Sequence, residues 1–390
     1  IKRKRRSQYE FKSINHNIKK KKKSYKTMNK ILEFEFLRGI AAFYVFFHHT
    51  LFQFNIIEKN SLLGKLFSFG QEAVMLFFLL SGYVIALSLI KKDYSFSEYF
   101  KHRFLRIYPI LLFVMIVSII LKFLNNDLNI DFYSFIINLL MLQDIGSLKP
   151  GTFAEPFLGN SPLWSLTYEW WFYMIFFVHF IFYKKIFKNI SFLYSSGFIF
   201  SILGLVSYFF FYNQISLIIM YYYIWLSGAI ICIIFINKLP NKKSLITKVL
   251  ALYFSIIIIY FLLFILNQKI YSIGIHPLLE LRHYITSFIF LIIALFYAKY
   301  FYIKLKNNLF YQRLLSLGIK PASISFGVYV IHYPIMNFFL TYNEKWGGEI
   351  NEIIGFILTF IFTLILSYIA EIKIYGNIYN KFIKRERVIK

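Results

Sequence analysis

The sequence predicts an all-α, polytopic membrane protein with about ten transmembrane helices and both termini on the cytoplasmic side. Three observations carry that expectation. Of 390 residues, 58% are hydrophobic and only 16% charged, against about 25% charged in ordinary globular chains. The apolar residues gather in blocks such as SIIIIYFLLFIL at 255–266 and ILTFIFTLILSYIA at 357–370, and blocks extended to about twenty residues match the thickness of a bilayer. Lysine and arginine cluster in alternate connections between those blocks.

The spans are expected at about 36–56, 73–90, 109–124, 163–183, 191–212, 215–236, 249–266, 284–303, 322–341 and 352–372. The first is apolar apart from Arg38, His48 and His49. The second contains Ser81 and Gly82, a small pair that permits close helix packing. The third is short and starts near Pro109, borrowing Ile107 and Tyr108. Segment 131–144 is apolar but too short to cross, so it reads as interfacial or re-entrant. The fourth opens on LWSLTYEWWFY, whose Trp and Tyr suit an interfacial belt. The fifth to eighth are apolar blocks, and the single cysteine, Cys232, lies in the sixth, so disulfides and thiolate metal sites have no support. The ninth carries ISFGVYVIHYP, where Pro334 is expected to kink the helix and free carbonyls.

Charge sets the direction. With the N-terminus inside, the inner segments hold 36 lysines and arginines and the outer connections 6, a decisive positive-inside bias. The net charge of +26 belongs to these short segments. Nucleic-acid binding is not expected, because no soluble basic module is visible. The first 30 residues lack the apolar core of a cleavable signal sequence. The chain opens on Ile1 and carries KKKKK at 19–23, while Met28 begins MNKILEFEFLRG. Residues 1–27 therefore read either as a disordered basic tail near anionic lipid or as sequence upstream of a natural start at Met28. The domain plan is a basic tail (1–30), a transmembrane domain (31–375) and a basic cytoplasmic tail (376–390).

An ionisable side chain at mid-bilayer costs roughly 2.5–3.5 kcal/mol on insertion scales, so such residues mark function. At about 100° per residue, a spacing of eleven puts Arg38 and His49 on one helical face, roughly 16 Å apart along the axis. His48 points some 80° away. Arg103 and Arg106 precede Pro109 at i, i+3, and their guanidinium forks suit phosphate oxygens. Inner-leaflet arginines are equally the ordinary topogenic signal. Glu169 lies about a turn and a half inside the fourth span, where a carboxylate needs a partner or a cavity. Ser325, Tyr329 and His332 share one face of the ninth span. No phosphate-binding glycine loop, metal-ligand spacing or soluble hydrolase motif is present.

Five motifs, LRGIAAFYVFFHH, FFLLSGYVI, FKHRFLRIYP, LWSLTYEWWFY and ISFGVYVIHYP, occur in the order found in the acyltransferase-3 family of integral membrane acyltransferases, which the chain resembles from about residue 34 to the tenth span. The resemblance implies transfer of an acyl group, often acetyl from acetyl-CoA, to a hydroxyl of an extracytoplasmic or lipid-linked carbohydrate, in the inner membrane of a bacterium. It implies Arg38, His49 and Glu169 as catalytic residues, Arg103 and Arg106 as holders of the CoA phosphates, and Ser325, Tyr329 and His332 as supporting residues, with no metal or permanently bound cofactor. On this reading His49 either deprotonates the acceptor or accepts the acyl group itself. Gly327 stands where a second serine is common, and Trp170 and Trp171 replace a frequent polar pair. The chain is read as the stand-alone form, without an esterase-like extracytoplasmic domain. The rival class is a transporter or flippase of a lipid-linked glycan or small molecule, which also places charges at mid-membrane; the absence of an internal repeat counts against it.

Overall fold

Helices form nearly all the regular structure in the computed structural model, which describes residues 32–266, 274–345 and 351–384. The predicted tail 1–30 and the last six residues lie outside the described residues. Helix α1 (32–53) is followed by α2 (Leu62–Leu66), α3 (Gly70–Lys91), α4 (Phe96–Leu124) and α5 (Phe132–Leu139). Two short 3-10 turns lead into α6 (Trp164–Ile181), then α7 (Ile190–Phe210), α8 (Gln214–Ile236), α9 (Lys242–Leu266) and α10 (Leu278–Tyr300). The chain continues through α11 (Tyr302–Leu305), α12 (Leu309–Ser323), α13 (Ser325–Lys345) and α14 (Glu352–Tyr368), which runs on helically through α15 (Gly376–Ile378) to Lys384. The described part of the predicted basic tail, 376–384, is thus helical and continuous with the last span.

Each predicted span coincides with a helix, but their quality differs. Seven helices are long and apolar enough to cross a membrane, and α12 with α13, bent by 52°, makes an eighth if the pair counts as one broken span. Helices α1 and α6 are not among them; these two carry Arg38, His48, His49 and Glu169, whose polarity lowers their hydropathy. The predicted start of the third span is corrected: α4 begins at Phe96, thirteen residues before Pro109. Its start is a capping box, in which the Ser95 hydroxyl accepts from the Glu98 amide at 3.2 Å and the Glu98 carboxylate accepts from the Ser95 amide at 3.2 Å. Arg103 and Arg106 therefore project from a helix, not from a connection. Segment 131–144 contains the eight-residue α5, capped by Asp131, with Phe132 and Tyr133 exposed, consistent with an interfacial helix.

Helix α8 is the axis of the bundle, 94% of its most apolar window being buried. Without a hydrophobic drive between helices in lipid, close approach of backbones must hold such a helix. Gly82 of α3 and Gly228 of α8 provide it reciprocally: a Cβ at Gly82 would lie 2.0 Å from the Trp225 carbonyl oxygen, and one at Gly228 would lie 2.1 Å from that of Leu79. Gly327 similarly packs against α14, its ideal Cβ lying 2.9 Å from Ser367 Cα. On α13, Pro334 removes the amide that would bond the Val330 carbonyl. The Asn160 side chain supplies the missing donor at 2.9 Å, tying the segment before α6 to α13.

Candidate functional site

The face shared by Arg38 and His49 is turned toward α13. Arg38 Nε donates to Ser325 Oγ at 3.5 Å, and its guanidinium pairs with Glu35 at 3.1 Å. Farther along, His49 Nδ1 lies 2.9 Å from His332 Nε2, the two rings meeting edge to edge with centroids 5.2 Å apart and planes at 17°. Helices α1 and α13 thus share two rungs, arginine–serine and histidine–histidine. His48 is turned elsewhere, as the helical arithmetic requires. Its Nδ1 donates to the Phe67 carbonyl at 2.5 Å, and its ring covers Gly70.

A cavity of 310 Å³ begins beside Glu35, His102 and Ile383 and runs inward to Ser165 and Tyr329. Six of the eight sequence-predicted residues line it: Arg38, Arg103, Arg106, Glu169, Ser325 and Tyr329. The two histidines do not. The cavity's deep end holds a hydrogen bond of 2.8 Å between the Ser165 and Tyr329 hydroxyls, and His332 sits one turn beyond Tyr329 on the same helix. A second cavity of 410 Å³ adjoins the first and shares Arg38, Arg106, Tyr375 and Tyr379 with it. Since α1 starts and the final helical segment ends beside these cavities, the described chain begins and ends at one end of the bundle.

The two arginines of α4 have different surroundings. Arg106 forms a bidentate pair with Glu371, Nη1 to Oε2 at 2.6 Å and Nη2 to Oε1 at 3.2 Å, and its guanidinium lies 4.6 Å from the Tyr375 ring. Arg103 lies over the rings of Tyr99 and Tyr173, at 5.5 and 5.8 Å. Its Nε is buried and has no hydrogen-bond partner among the described residues. Glu169 accepts from the Tyr173 hydroxyl and from Ser81 Oγ, the latter at 3.2 Å. Ser81 therefore serves the site while its neighbour Gly82 serves packing.

Several polar residues escaped sequence reasoning. Glu371 carries no signal beyond a polar group in an apolar run, Ser81 reads from sequence only as a packing residue beside Gly82, and Ser165 and Tyr173 read only as part of LWSLTYEWWFY. A larger omission is the buried pair Lys149–Asp144, at 2.9 Å with side chains 1% and 0% exposed. The Tyr168 hydroxyl also donates to Asp144, and Lys149 Nζ lies 3.9 Å from the centroid of the Trp164 ring. This cluster anchors the 140s loop to the start of α6, the helix that presents Ser165 and Glu169. Lys149 is the sole basic residue of its predicted outer connection, which was the available signal.

A family model described as an acyltransferase domain matches residues 31–372. A relative named acyltransferase MdmB, from Streptomyces mycarofaciens, is 33% identical over 146 residues, covering 36% of this chain and 36% of the relative. The chain thus matches about a third of that relative's length. No solved structure matches.

Proposed function

The chain belongs to the acyltransferase family matched by residues 31–372, and from that premise we propose that it carries an acyl group, acetyl by default, from cytoplasmic acyl-CoA to a hydroxyl of an extracytoplasmic or lipid-linked carbohydrate. The observation that supports the reading is the convergence of Arg38, Arg103, Arg106, Glu169 and Tyr329 on one cavity, with His332, the partner of His49, three residues beyond Tyr329 on the same helix. The positive-inside bias directs the cavity's basic end to the cytoplasm and His49 toward the outer side. The enzyme is accordingly assigned to the inner membrane of a bacterium.

Arg103 is the principal holder of the donor's phosphates, because its buried Nε has no hydrogen-bond partner among the described residues and a guanidinium suits phosphate oxygens. Arg106, already paired with Glu371, adds positive potential and shapes the wall. The thioester arm extends from this end toward Tyr329 and His49. In the transfer step His49 removes the acceptor's proton, the hydroxyl oxygen attacks the thioester carbonyl, the carbon–sulfur bond breaks, and the proton ends on the released thiol. Positioned general bases contribute about 10²–10⁴-fold. Arg38 stabilises negative charge on donor or intermediate. Glu169, held by Tyr173 and Ser81, orients polar groups on the cavity wall. Purified protein in lipid nanodiscs, given acetyl-CoA and a panel of carbohydrate acceptors, should release thiol far faster with a competent acceptor than by the slow background hydrolysis without one; release of no thiol with any acyl-CoA, together with movement of a lipid-linked glycan across the bilayer, would favour a transporter instead.

A further inference from the structure

We infer that His332 is a positioning residue that fixes which nitrogen of His49 carries the proton. The inference rests on the reading of His49 as the base but is tested separately from it. His332 Nδ1 lies 2.8 Å from the Val328 carbonyl oxygen. A carbonyl only accepts, so Nδ1 of His332 bears a proton and donates it. In a neutral imidazole the other nitrogen, Nε2, then has only a lone pair. That nitrogen lies 2.9 Å from His49 Nδ1, so His49 Nδ1 must be the donor across the contact. His49, likewise neutral, is left with its lone pair on Nε2. The chain of bonds runs from His49 Nδ1 through His332 to a helix carbonyl, and it leaves one nitrogen of His49 basic.

Two features make His332 suited to this task. Its side chain is fully buried, and its anchor is a backbone carbonyl of its own helix, four residues back, which neither titrates nor moves independently of α13. Phe46 flanks its ring edge-to-face at 5.8 Å, and Tyr333 flanks the ring of His49 edge-to-face at 5.2 Å. The rings are therefore confined in rotation as well as in hydrogen bonding. In a tautomerised His49 the lone pair would face His332, where no acceptor hydroxyl fits between groups 2.9 Å apart.

The test is nitrogen-15 NMR of histidine-labelled protein in nanodiscs, with the His49 signals assigned by their loss in His49→Gln. The native protein should show His49 protonated at Nδ1 and not at Nε2. His332→Ala should convert that signal to the Nε2-protonated or exchanging form, with kcat falling about 100-fold, at the lower end of general-base contributions, and KM for acyl-CoA unchanged. His332→Gln, whose amide oxygen can accept from His49 Nδ1, should restore the tautomer and at least a tenth of native kcat, which a purely space-filling role would not produce. Protonation of His49 at Nε2 in the native protein would overturn the inference, as would a His332→Ala protein that is monodisperse with tautomer and kcat unchanged. Full activity in His49→Ala would instead defeat the general-base reading and leave the NMR result standing.

Discussion

Replacing the two arginines of α4 one at a time separates donor binding from architecture. Arg103 has a buried Nε without a hydrogen-bond partner among the described residues and rests on two aromatic faces. On the proposed function its removal forfeits a charge-assisted hydrogen bond to the donor, worth about 1.5–3 kcal/mol, which corresponds to a rise of roughly 10- to 150-fold in Kd for acyl-CoA. Little folding stability should go with it. Arg106 is the opposite case. Its partner Glu371 is only 4% exposed, and stranding a buried carboxylate costs about 3–5 kcal/mol; the arginine's own 23% exposure puts the expectation near the lower figure. Arg106→Ala should therefore lower the unfolding temperature in detergent markedly, and Arg106→Leu combined with Glu371→Leu should recover most of the loss, because removing both partners of a buried pair is often neutral. The assays are titration calorimetry with CoA or a non-hydrolysable acyl-CoA, and thermal unfolding of the same preparations. Unchanged donor affinity in Arg103→Ala, or a stability loss in it as large as in Arg106→Ala, would refute the division of labour.

Further outcomes follow from single contacts. Gly82→Ala drives a methyl group into the Trp225 carbonyl, so it should destabilise the α3–α8 crossing by about 1–3 kcal/mol, seen as a lowered unfolding midpoint; unchanged stability would mean the helices do not cross there. Lys149→Met leaves the buried Asp144 carboxylate without its counter-charge, held by the Tyr168 hydroxyl and the Ile145 amide, which should cost about 3 kcal/mol, while Lys149→Met with Asp144→Leu should be far better tolerated. Tyr329→Phe breaks the hydrogen bond to Ser165 that closes the deep end of the cavity. A bond of about 1 kcal/mol is roughly a fivefold change in an opening equilibrium, so acceptor-independent thiol release should rise by about that factor, with no rise refuting the closure.

How much of this was legible in the sequence depended on the range of the interaction. Helical arithmetic within α1 needs only local geometry, and it selected His49 over His48 correctly as the residue on the Arg38 face, since His48 turns to Phe67. The freed carbonyl expected near Pro334 is real, because a missing amide is a covalent fact of proline; that Asn160 answers it could not be read, the two residues being far apart in sequence. The contact of His49 with His332 spans 283 positions, and a single sequence holds no record of such a meeting. Arg106 looked equivalent to Arg103 because the signal was their spacing, and its claimant, Glu371, sits at the far end of the chain. The start of α4 was misplaced through weight given to Pro109. A proline costs a long helix one hydrogen bond, and the S-x-x-E capping box at Ser95 was the stronger boundary signal. The buried Asp144–Lys149 pair went unseen because charges in a connection read as solvated until the fold shows the loop tucked inside.

The central claim, that His49 carries the transfer chemistry, is tested most directly in cells by mass spectrometry of surface glycans from strains producing native, His48→Ala or His49→Ala protein at equal membrane levels. Loss of O-acylation in His49→Ala with retention in His48→Ala is the predicted result. Full O-acylation in His49→Ala would contradict it.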